Sequence, residues 1–553
     1  RQIPVFVPHE QLDTDVDSNL RKKLVDAIDG DQLPPCYYDH PVVRAHGSRE
    51  DPVRPLCLYL DGVPYSHTDS VIGIWLEDFV DGRRYIISVV RKKTPVPMCL
   101  CRCGCRGWCS MSVLFSFLRW TCESMAAKKF PNARHDGTAW LDADGHRNDR
   151  LGADLSIRSC VLFIKGDWAE YATTLGLPTW NDSVRPCYMC NCFGDGMYNH
   201  AGSSAAGFPH RENLEHEYDQ SCDRCEIAID LTPAIRQSVF EQGKLRYDKR
   251  AAGSHGRALE NDVPFLNLRK DDRLEPSADL PDIACFETLD LSTPKRVIFW
   301  RTSRETLTRH RNPLFSVQLG ITVWRSLTSD LLHTLYLGVF HSFCRMAVWA
   351  LILSGAWGGH GTQDEFVEIA VLVFRNALSN WYNAKAHESP PIFFTRISDV
   401  TRKMVGDPSD KKMKTKGAET WGLLCFLVDE LPLHRARLGA DGPILIEAAR
   451  CLKGLADLFD SSGVLPSAAD QASMWRHYLR FCDVTRGVPE LMLPKRHMTL
   501  HMLRRLPLFG NPRFYAAWRD ESLNKTLKGC CRKVSQATFE ISVLSNMKRL
   551  LQI

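Results

Sequence analysis

Two mostly apolar runs in the first third of the chain each lead into an aspartate, and this pairing strongly constrains the fold. The first run, residues 56–60, is followed by Asp61, and the second, residues 160–166, is followed by Asp167. Runs of this length are typical of buried strands. A third acid, Glu521, opens a helix-like stretch near the end of the chain. Two carboxylates at strand ends and a third on a late helix can converge on a pair of divalent cations, as two-metal phosphoryl transfer requires.

The order of predicted elements around these aspartates indicates an α/β fold. The patterns predict three strands, a helix, a fourth strand and a short helix, over residues 56–63, 71–76, 84–90, 111–127, 160–164 and 168–172. This is the opening order of an RNase H-like domain, a mixed sheet with flanking helices. In that fold the first and fourth strands are neighbours, so Asp61 is expected beside Asp167.

The middle of the chain has a different character. After a stretch rich in cysteine and glycine, long helical patterns with short polar linkers continue to about residue 494. We predict an N-terminal extension, the first part of the RNase H-like core, a large and mainly helical insertion with Cys-rich zinc-type segments, and the C-terminal helices of the core, over residues 1–50, 51–176, 177–494 and 495–553. The longest apolar stretch, residues 339–357, contains His341 and Arg345 and is predicted to be a buried helix rather than a membrane span.

The composition is that of a globular protein with a substantial core. Of 553 residues, 44% are hydrophobic and 24% are charged, and the net charge of +5 permits a nucleic-acid partner without requiring one. The 21 cysteines occur in close groups, and no signal-peptide pattern precedes them. This favours reduced thiols in the cytosol or nucleus, some of them holding metal, over disulfides. The first residue is Arg1, which is expected of a fragment that lacks upstream sequence, including a separate DNA-binding domain.

Several cysteine groups have spacings compatible with zinc binding. Two C-x-x-C pairs occur, at Cys187/Cys190 and at Cys222/Cys225. Together they could close a Cys₄ site, because a thiolate pair at this spacing binds one face of a tetrahedral Zn²⁺. Alternatively, the second pair holds no metal, or a histidine replaces a sulfur, from among His200, His210 and His216. A denser group is predicted to be either a zinc-stabilised loop or a reduced surface loop, and its members are Cys99, Cys101, Cys103, Cys105 and Cys109.

Three short motifs, taken in their order along the chain, resemble a known family. They are the C-x-x-C at Cys187-Tyr188-Met189-Cys190, the D-x-x-H at Asp330-Leu331-Leu332-His333 followed by residues 335–339 (LYLGV), and residues 514–521 (FYAAWRDE) leading into Leu527-Lys528. These patterns resemble eukaryotic cut-and-paste DNA transposases of the DDE/D type, and most of all the CACTA (En/Spm) group and its relatives. The third motif is similar to the block around the catalytic glutamate of that family.

The resemblance implies an enzyme that cleaves DNA strands at transposon ends and transfers them into target DNA. Asp61, Asp167 and Glu521 would be the catalytic acids that hold two Mg²⁺ ions, or Mn²⁺ in their place. Asp520 is the alternative third acid, because the motif does not fix the helix register. The implied partner is double-stranded DNA, and the protein would act in the nucleus as a homo-oligomer, without a membrane and with structural Zn²⁺.

Further residues are predicted to contact DNA. Basic side chains follow Glu521 at helical spacing, which suits a helix lying against a DNA backbone, although a solvated charged face is the alternative; they are Lys525, Lys528 and Arg532. Asp330 and His333 are one helical turn apart. His333 is therefore predicted to be a metal ligand or a DNA contact, and a buried, hydrogen-bonded histidine is the alternative.

Each acid also has an ordinary structural interpretation. Asp61-Gly62 alone predicts a turn, Asp167 a helix N-cap, and Glu521 a first-turn acid that favours the helix dipole. Two other functions therefore stay open on the sequence. One is a domesticated or inactive transposase descendant that only binds DNA, and the other is a zinc-organised interaction protein.

Overall fold

The computed structural model describes residues 4–551 except for 93–107, 183, 205–206, 208, 232–294, 301–310, 359–360, 409 and 411–412. The chain divides into two compact units, each built from segments that are distant in sequence. The first unit comprises Arg1–Gly194, Arg211–Thr328 and Arg519–Ile553. The second comprises Asp195–His210 and Ser329–Trp518.

The first unit contains a four-stranded mixed sheet. Its strands are β1 (Arg54–Pro64), β2 (Ser70–Asp78), β3 (Arg84–Arg91) and β4 (Ser159–Lys165). The first three pair in antiparallel fashion, and β4 lies parallel to β1, which gives the order β3-β2-β1-β4. The predicted α/β class is confirmed, and the first and fourth strands are neighbours as expected.

Strands β1 and β4 are covered on both faces, which explains their nearly unbroken apolar runs. All seven residues of β4 are buried, as is most of β1. Strands of this kind carry continuous rather than alternating apolar residues. The buried cations in them are paired with buried carboxylates, Arg54 with Asp78 and Lys165 with Asp520, because an unpaired buried charge is costly.

Helices of the first unit come from both ends of the chain and from its middle. They span Pro8–Thr14, Ser18–Asp29, Pro35–Tyr38, Pro41–His46, Trp108–Ala127, Gly145–Asn148, Trp168–Thr174, Glu215–Cys225, Val323–Ser326, Trp518–Cys531 and Phe539–Leu551. The long helix Trp108–Ala127 packs against β4, and Phe539–Leu551 packs against β3. The helix Trp518–Cys531, which begins at the boundary of the units, is called the Glu521 helix below.

A second, two-stranded sheet also belongs to the first unit. Its strands, β5 (Glu226–Leu231) and β6 (Lys295–Trp300), pair in antiparallel fashion. The sequence analysis did not predict either strand. Separately, Leu327 forms an isolated parallel bridge with Ile164 of β4, so a short piece of extended chain lies beside β4.

The second unit is built from helices around its own hydrophobic core. They span Leu332–Val339, Phe340–Leu353, Gln363–Ala386, Arg402–Val405, Gly417–Leu433, Asp441–Ser461, Ala468–Val484, Pro494–Arg504 and Leu506–Phe509. The first of these is a π-helix that continues directly into the second. The core is formed by their buried faces, and one cluster of apolar side chains extends from Leu331 to Leu506.

One helix, Leu332–Leu353, is long and apolar enough to cross a membrane by length and composition alone. Of its most apolar window, 78% is buried inside the protein, and the second unit packs around it. His341 and Arg345 are buried with it. Their burial is tolerated because they donate hydrogen bonds to the carbonyl oxygens of Met413 and Pro408, respectively. The burial is that of a core helix, which the sequence predicted.

Candidate functional site

The two aspartates lie at the same end of neighbouring strands. Asp61 belongs to β1, and Asp167 follows the end of β4. The last parallel pair between these strands joins Tyr59 to Lys165, so each aspartate lies two positions beyond this pair. The structure therefore brings Asp61 and Asp167 to one edge of the sheet.

Hydrogen bonds from Tyr59, Gly62 and Asn524 hold the carboxylate of Asp61. The Tyr59 hydroxyl donates to Oδ2 over 3.0 Å, and the Gly62 N–H donates to Oδ1 over 2.7 Å. The side-chain amide of Asn524, on the Glu521 helix, also donates to Oδ2. The turn interpretation of Asp61-Gly62 is wrong, because both residues lie within β1 and pair with β2, and a residue 463 positions away contacts Asp61 directly.

Asp167 is the N-cap of the helix Trp168–Thr174. Its Oδ1 accepts a hydrogen bond of 2.7 Å from the N–H of Glu170, so the ordinary interpretation of this residue is correct. An N-cap fixes the side chain of the capping residue at the helix end. This is compatible with a second role, since the cap uses one of the two carboxylate oxygens.

A fourth acid, Glu170, lies close to Asp61 and was not predicted. Glu170 is buried, its Oε2 lies 3.3 Å from Nζ of Lys92, and its other oxygen accepts from the Thr174 hydroxyl. Gly62, the neighbour of Asp61, lies against both groups, since a Cβ atom at Gly62 would clash with Lys92 Nζ and would lie 3.1 Å from Glu170 Oε2. The pattern Asp-x-x-Glu at 167–170, typical of a helix start, was the available signal.

Asp520 belongs to a buried network of four charges. Its Oδ2 lies 2.7 Å from Nζ of Lys165 and its Oδ1 lies 3.2 Å from Nε of Arg84. Both cations also contact the carboxylate of Glu77. Burial alone would lower the pKa of Lys165, but the charges of Glu77 and Asp520 raise it above its ordinary value.

The charges of Asp61 and Glu521 both affect the pKa of the Tyr59 side chain. Burial raises the pKa of the Tyr59 hydroxyl well above its ordinary value, and the negative charges of Asp61, Glu521 and Asp520 raise it further, in that order. Glu521 is half-buried. Asp61 and Glu521, both half-buried, therefore both raise the pKa of the buried Tyr59 hydroxyl.

The three predicted acids do not close around a single point. Among the residues that the structure describes, no three carboxylates have oxygen atoms that all lie within 4.8 Å of one another. Asp61 lies within β1, Asp167 follows the end of β4, and Glu521 lies on a helix that contacts Asp61 through Asn524. The three acids therefore do not form a compact group of metal ligands in this structure.

The Glu521 helix has a buried face and a charged face. The buried face consists of Asp520, Asn524, Leu527, Cys530 and Cys531. Of the residues predicted to contact DNA, Lys525 is exposed and Lys528 is half-buried. Arg532 follows the last helical residue, and its Nε donates a hydrogen bond of 2.9 Å to the carbonyl oxygen of Tyr65.

Three thiols of the first unit form a compact, buried group. The sulfur atoms of Cys187, Cys190 and Cys192 lie within 4.8 Å of one another. Burial, followed by hydrogen bonds to its two neighbours, raises the pKa of the Cys190 thiol, and the hydrogen bond with Cys187 is the main cause that raises the pKa of Cys192. Such a group could bind a metal such as zinc, because the metal displaces the thiol protons.

The composition of this group differs from the predicted ligand set. Cys187 and Cys190 were predicted, whereas Cys192 was not, although it follows the pair by only two positions. Cys222 is buried and is not a member of the group, and the side chain of Cys225 lies outside the described residues. The same is true of the denser cysteine group, since Cys99, Cys101, Cys103 and Cys105 are not described and the side chain of Cys109 is not described either.

In the second unit, Asp330 and His333 share one face as predicted. Nδ1 of His333 lies 2.7 Å from Oδ2 of Asp330, which also accepts from the His333 N–H. The other oxygen of Asp330 accepts from the N–H of Ala517 over 2.8 Å. Burial alone would raise the pKa of Asp330, but the hydrogen bonds from His333 lower it below its ordinary value. This is the hydrogen-bonded histidine that the sequence analysis gave as the alternative.

Comparisons with known proteins supply no further assignment. No family model matches the chain, and no match was found among the curated proteins or the solved structures. The function proposed below therefore depends on the motifs of the sequence and on the geometry of the acids and thiols.

Proposed function

We propose that the chain is a DDE-type DNA transposase that cleaves DNA strands and transfers them with the help of divalent cations. The observation that carries this proposal is the position of Asp61 and Asp167 two residues beyond the last parallel pair of β1 and β4, with Asp61 in contact with the helix that carries Glu521. Its implied partner is double-stranded DNA, and its implied setting is a homo-oligomer in the nucleus.

The sheet supports an RNase H-like core for this enzyme. The order β3-β2-β1-β4, with only β4 parallel to β1, is the order of the first four strands of that fold. The bridge from Leu327 to Ile164 lies beside β4 and is parallel to it, where that fold has its fifth strand. The mainly helical second unit then corresponds to much of the insertion.

The donor atoms at this edge of the sheet suit a hard divalent cation. Asp61, Asp167 and Glu521 would supply carboxylate oxygens, which Mg²⁺ and Mn²⁺ prefer. When bound, the two ions would activate the attacking water or DNA 3′-OH and stabilise the leaving oxygen. Asp520 is the poorer third acid, because both of its oxygens already contact buried cations.

The surrounding residues orient these acids and contact the DNA. Tyr59 and Asn524 hold the Asp61 carboxylate in one position, and the N-cap fixes Asp167. Lys525 and Lys528 lie on the same helix as Glu521 and suit contacts with phosphate. His333, in the second unit, is proposed as a DNA contact whose ring is oriented by its hydrogen bond to Asp330.

The three-thiol group favours a structural role for zinc in the same protein. Cys187, Cys190 and Cys192 would supply three of the four ligands of a tetrahedral Zn²⁺. This group is also the specific observation in favour of a zinc-organised interaction protein without catalysis. The two functions differ in one measurable property, the cleavage of DNA with Mg²⁺ or Mn²⁺.

The deciding experiment is cleavage of double-stranded DNA by the purified chain in Mg²⁺ or Mn²⁺, beside an Asp167→Asn variant. Asparagine caps a helix as well as aspartate does, so this variant keeps its fold and loses a charged ligand. The matched control is Asp17→Asn, because Asp17 caps the helix Ser18–Asp29 through a hydrogen bond of 2.7 Å to the Leu20 N–H.

We expect Asp167→Asn to reduce cleavage by more than about 100-fold, the upper range for residues that only support a metal ligand, and Asp17→Asn to leave it unchanged. If wild type and both variants bind DNA without cutting it, the binding-only descendant is the better description. Zinc without DNA binding or cleavage would instead support the interaction protein.

A further inference from the structure

The carboxamide of Asn524 has a buried oxygen that accepts no hydrogen bond within the described part of the chain, while its nitrogen contacts Asp61 at the acidic edge of the sheet. We propose that this oxygen, Oδ1 of Asn524, is an additional ligand for the divalent cation held by Asp61. The inference rests on the proposed function, because it assigns one more residue to the same metal site. None of the sequence motifs pointed to this residue.

Asn524 lies one helical turn after Glu521 and faces β1. Only 5% of the residue is exposed. Its Nδ2 donates to Oδ2 of Asp61 and, over 2.9 Å, to the hydroxyl oxygen of Tyr59. The side chain is therefore inserted between the helix and the strand at the position of the first aspartate.

The orientation of this amide is fixed by its partners. An ionised carboxylate only accepts hydrogen bonds, and the Tyr59 hydroxyl gives its proton to Asp61. Both groups therefore need the NH₂ end of Asn524, and a flipped amide would place two oxygens against each other. The hydrogen-bonding needs of these two neighbours therefore direct Oδ1 away from them.

No donor in the described part of the chain reaches this oxygen, although it is fully buried. A buried acceptor without a donor is costly, so native proteins rarely keep one without a ligand. A hard cation is the ligand that fits, because the same amide contacts the Asp61 carboxylate and Glu521 lies one turn earlier on the same helix. Neutral amide oxygens are regular ligands of such cations.

The two ends of the amide would then have separate tasks. The NH₂ end orients the Asp61 carboxylate, and the oxygen adds a ligand without adding negative charge. Asn524→Ala removes both tasks. Asn524→Asp keeps an oxygen ligand of the same shape but replaces the donor with a second charge beside Asp61, so the pair of variants separates a metal ligand from a simple hydrogen-bond donor.

The experiment measures Mn²⁺ binding by the full chain without DNA, from the electron paramagnetic resonance signal of free Mn²⁺. We expect an Mn²⁺ site that is lost in Asp61→Asn. Asn524→Ala should weaken the site by about tenfold or more, and Asn524→Asp should bind Mn²⁺ at least as tightly as wild type. The control is Asn19→Ala, an exposed helix position, which should leave the affinity unchanged.

The outcomes separate the two proposals. If Asp61→Asn binds Mn²⁺ as wild type does, the proposed catalytic function fails. If binding depends on Asp61 but Asn524→Ala equals wild type, or if Asn524→Asp is as weak as Asn524→Ala, Asn524 is not a ligand and only this inference is overturned. Should Asn524→Ala unfold, the isosteric Asn524→Asp variant decides the question, and its melting temperature should rise more with Mn²⁺ than that of wild type.

Discussion

Asp520 and Glu521 are adjacent in the chain but have opposite surroundings. Asp520 is buried between Lys165 and Arg84. Glu521 is half-buried, and its negative charge raises the pKa of the Tyr59 hydroxyl. Paired buried charges belong to the scaffold, because their removal leaves their partners unpaired. An acid available for a cation must instead keep its oxygens accessible. The two neighbours therefore have separable contributions to stability and activity.

This separation gives a prediction for conservative variants of the two acids. Asp520→Asn should lower the free energy of unfolding by about 3 kcal/mol, because Lys165 and Arg84 lose a buried carboxylate partner. Glu521→Gln should change it by less than about 0.5 kcal/mol and should abolish DNA cleavage. Urea unfolding followed by circular dichroism measures the first quantity, and the cleavage assay measures the second. If the Asp520→Asn protein is as stable as wild type but no longer cuts DNA, Asp520 and not Glu521 is the catalytic acid.

At the scale of elements, strands β1 to β4 could be predicted, because burial gives a strand a nearly continuous run of apolar residues. Every residue of β4 is buried, so its apolar run is nearly continuous, and the acid that ends it is visible without a structure. The contact between Asn524 and Asp61 could not be predicted, since it joins residues 463 positions apart and an asparagine in a helix has no distinctive pattern. Glu170 and Cys192 have only weak local signals, an Asp-x-x-Glu pattern and a position two residues after a C-x-x-C pair.

The fit between the Glu521 helix and β2 gives a prediction at this scale. A Cβ atom at Gly73 would lie 2.7 Å from Nε1 of Trp75 and 3.0 Å from Cδ2 of Leu527, and both side chains are fully buried. Gly73→Ala should therefore push the helix away from the sheet and cost about 1–3 kcal/mol of stability, with a loss of cleavage. Thermal and urea unfolding provide the measurement.

The control for this variant lies on the same helix. A Cβ atom at Gly529 would meet no atom within 4 Å, so Gly529→Ala should stabilise the protein by about 0.5–1 kcal/mol, since alanine is the better helix former. Equal effects of the two substitutions would show that the close approach of Leu527 to Gly73 does not position the helix.

At the scale of the whole molecule, the chain passes between its two units several times. The three-thiol group, Cys187, Cys190 and Cys192, lies immediately before the first passage, at Gly194 and Asp195. A metal bound there would stabilise the part of the first unit that precedes the passage. Binding to the folded state alone adds about 4 kcal/mol when the ligand is at 1,000 times its dissociation constant.

This role of the thiols predicts the effect of metal removal. The purified protein should contain about one Zn²⁺ per chain at this group, measured by atomic emission, and a chelator should lower its melting temperature. Cys190→Ser should contain less zinc and should not respond to the chelator. Cys122→Ser loses another buried thiol of the first unit and should keep both properties. A wild-type protein without zinc at this group would contradict the assignment.

The wide separation of the partners in the buried charge network has a consequence for protein synthesis. Lys165 precedes Asp520 by 355 positions, so a growing polypeptide completes the strands of the sheet long before the ribosome makes the helix that neutralises and covers them. Until then Lys165 lacks its carboxylate partner on that helix, and Glu521 does not yet exist. Products terminated before this helix should consequently be inert toward DNA and good substrates for cellular proteases, which confines strand-breaking activity to molecules whose synthesis has passed the helix Trp518–Cys531.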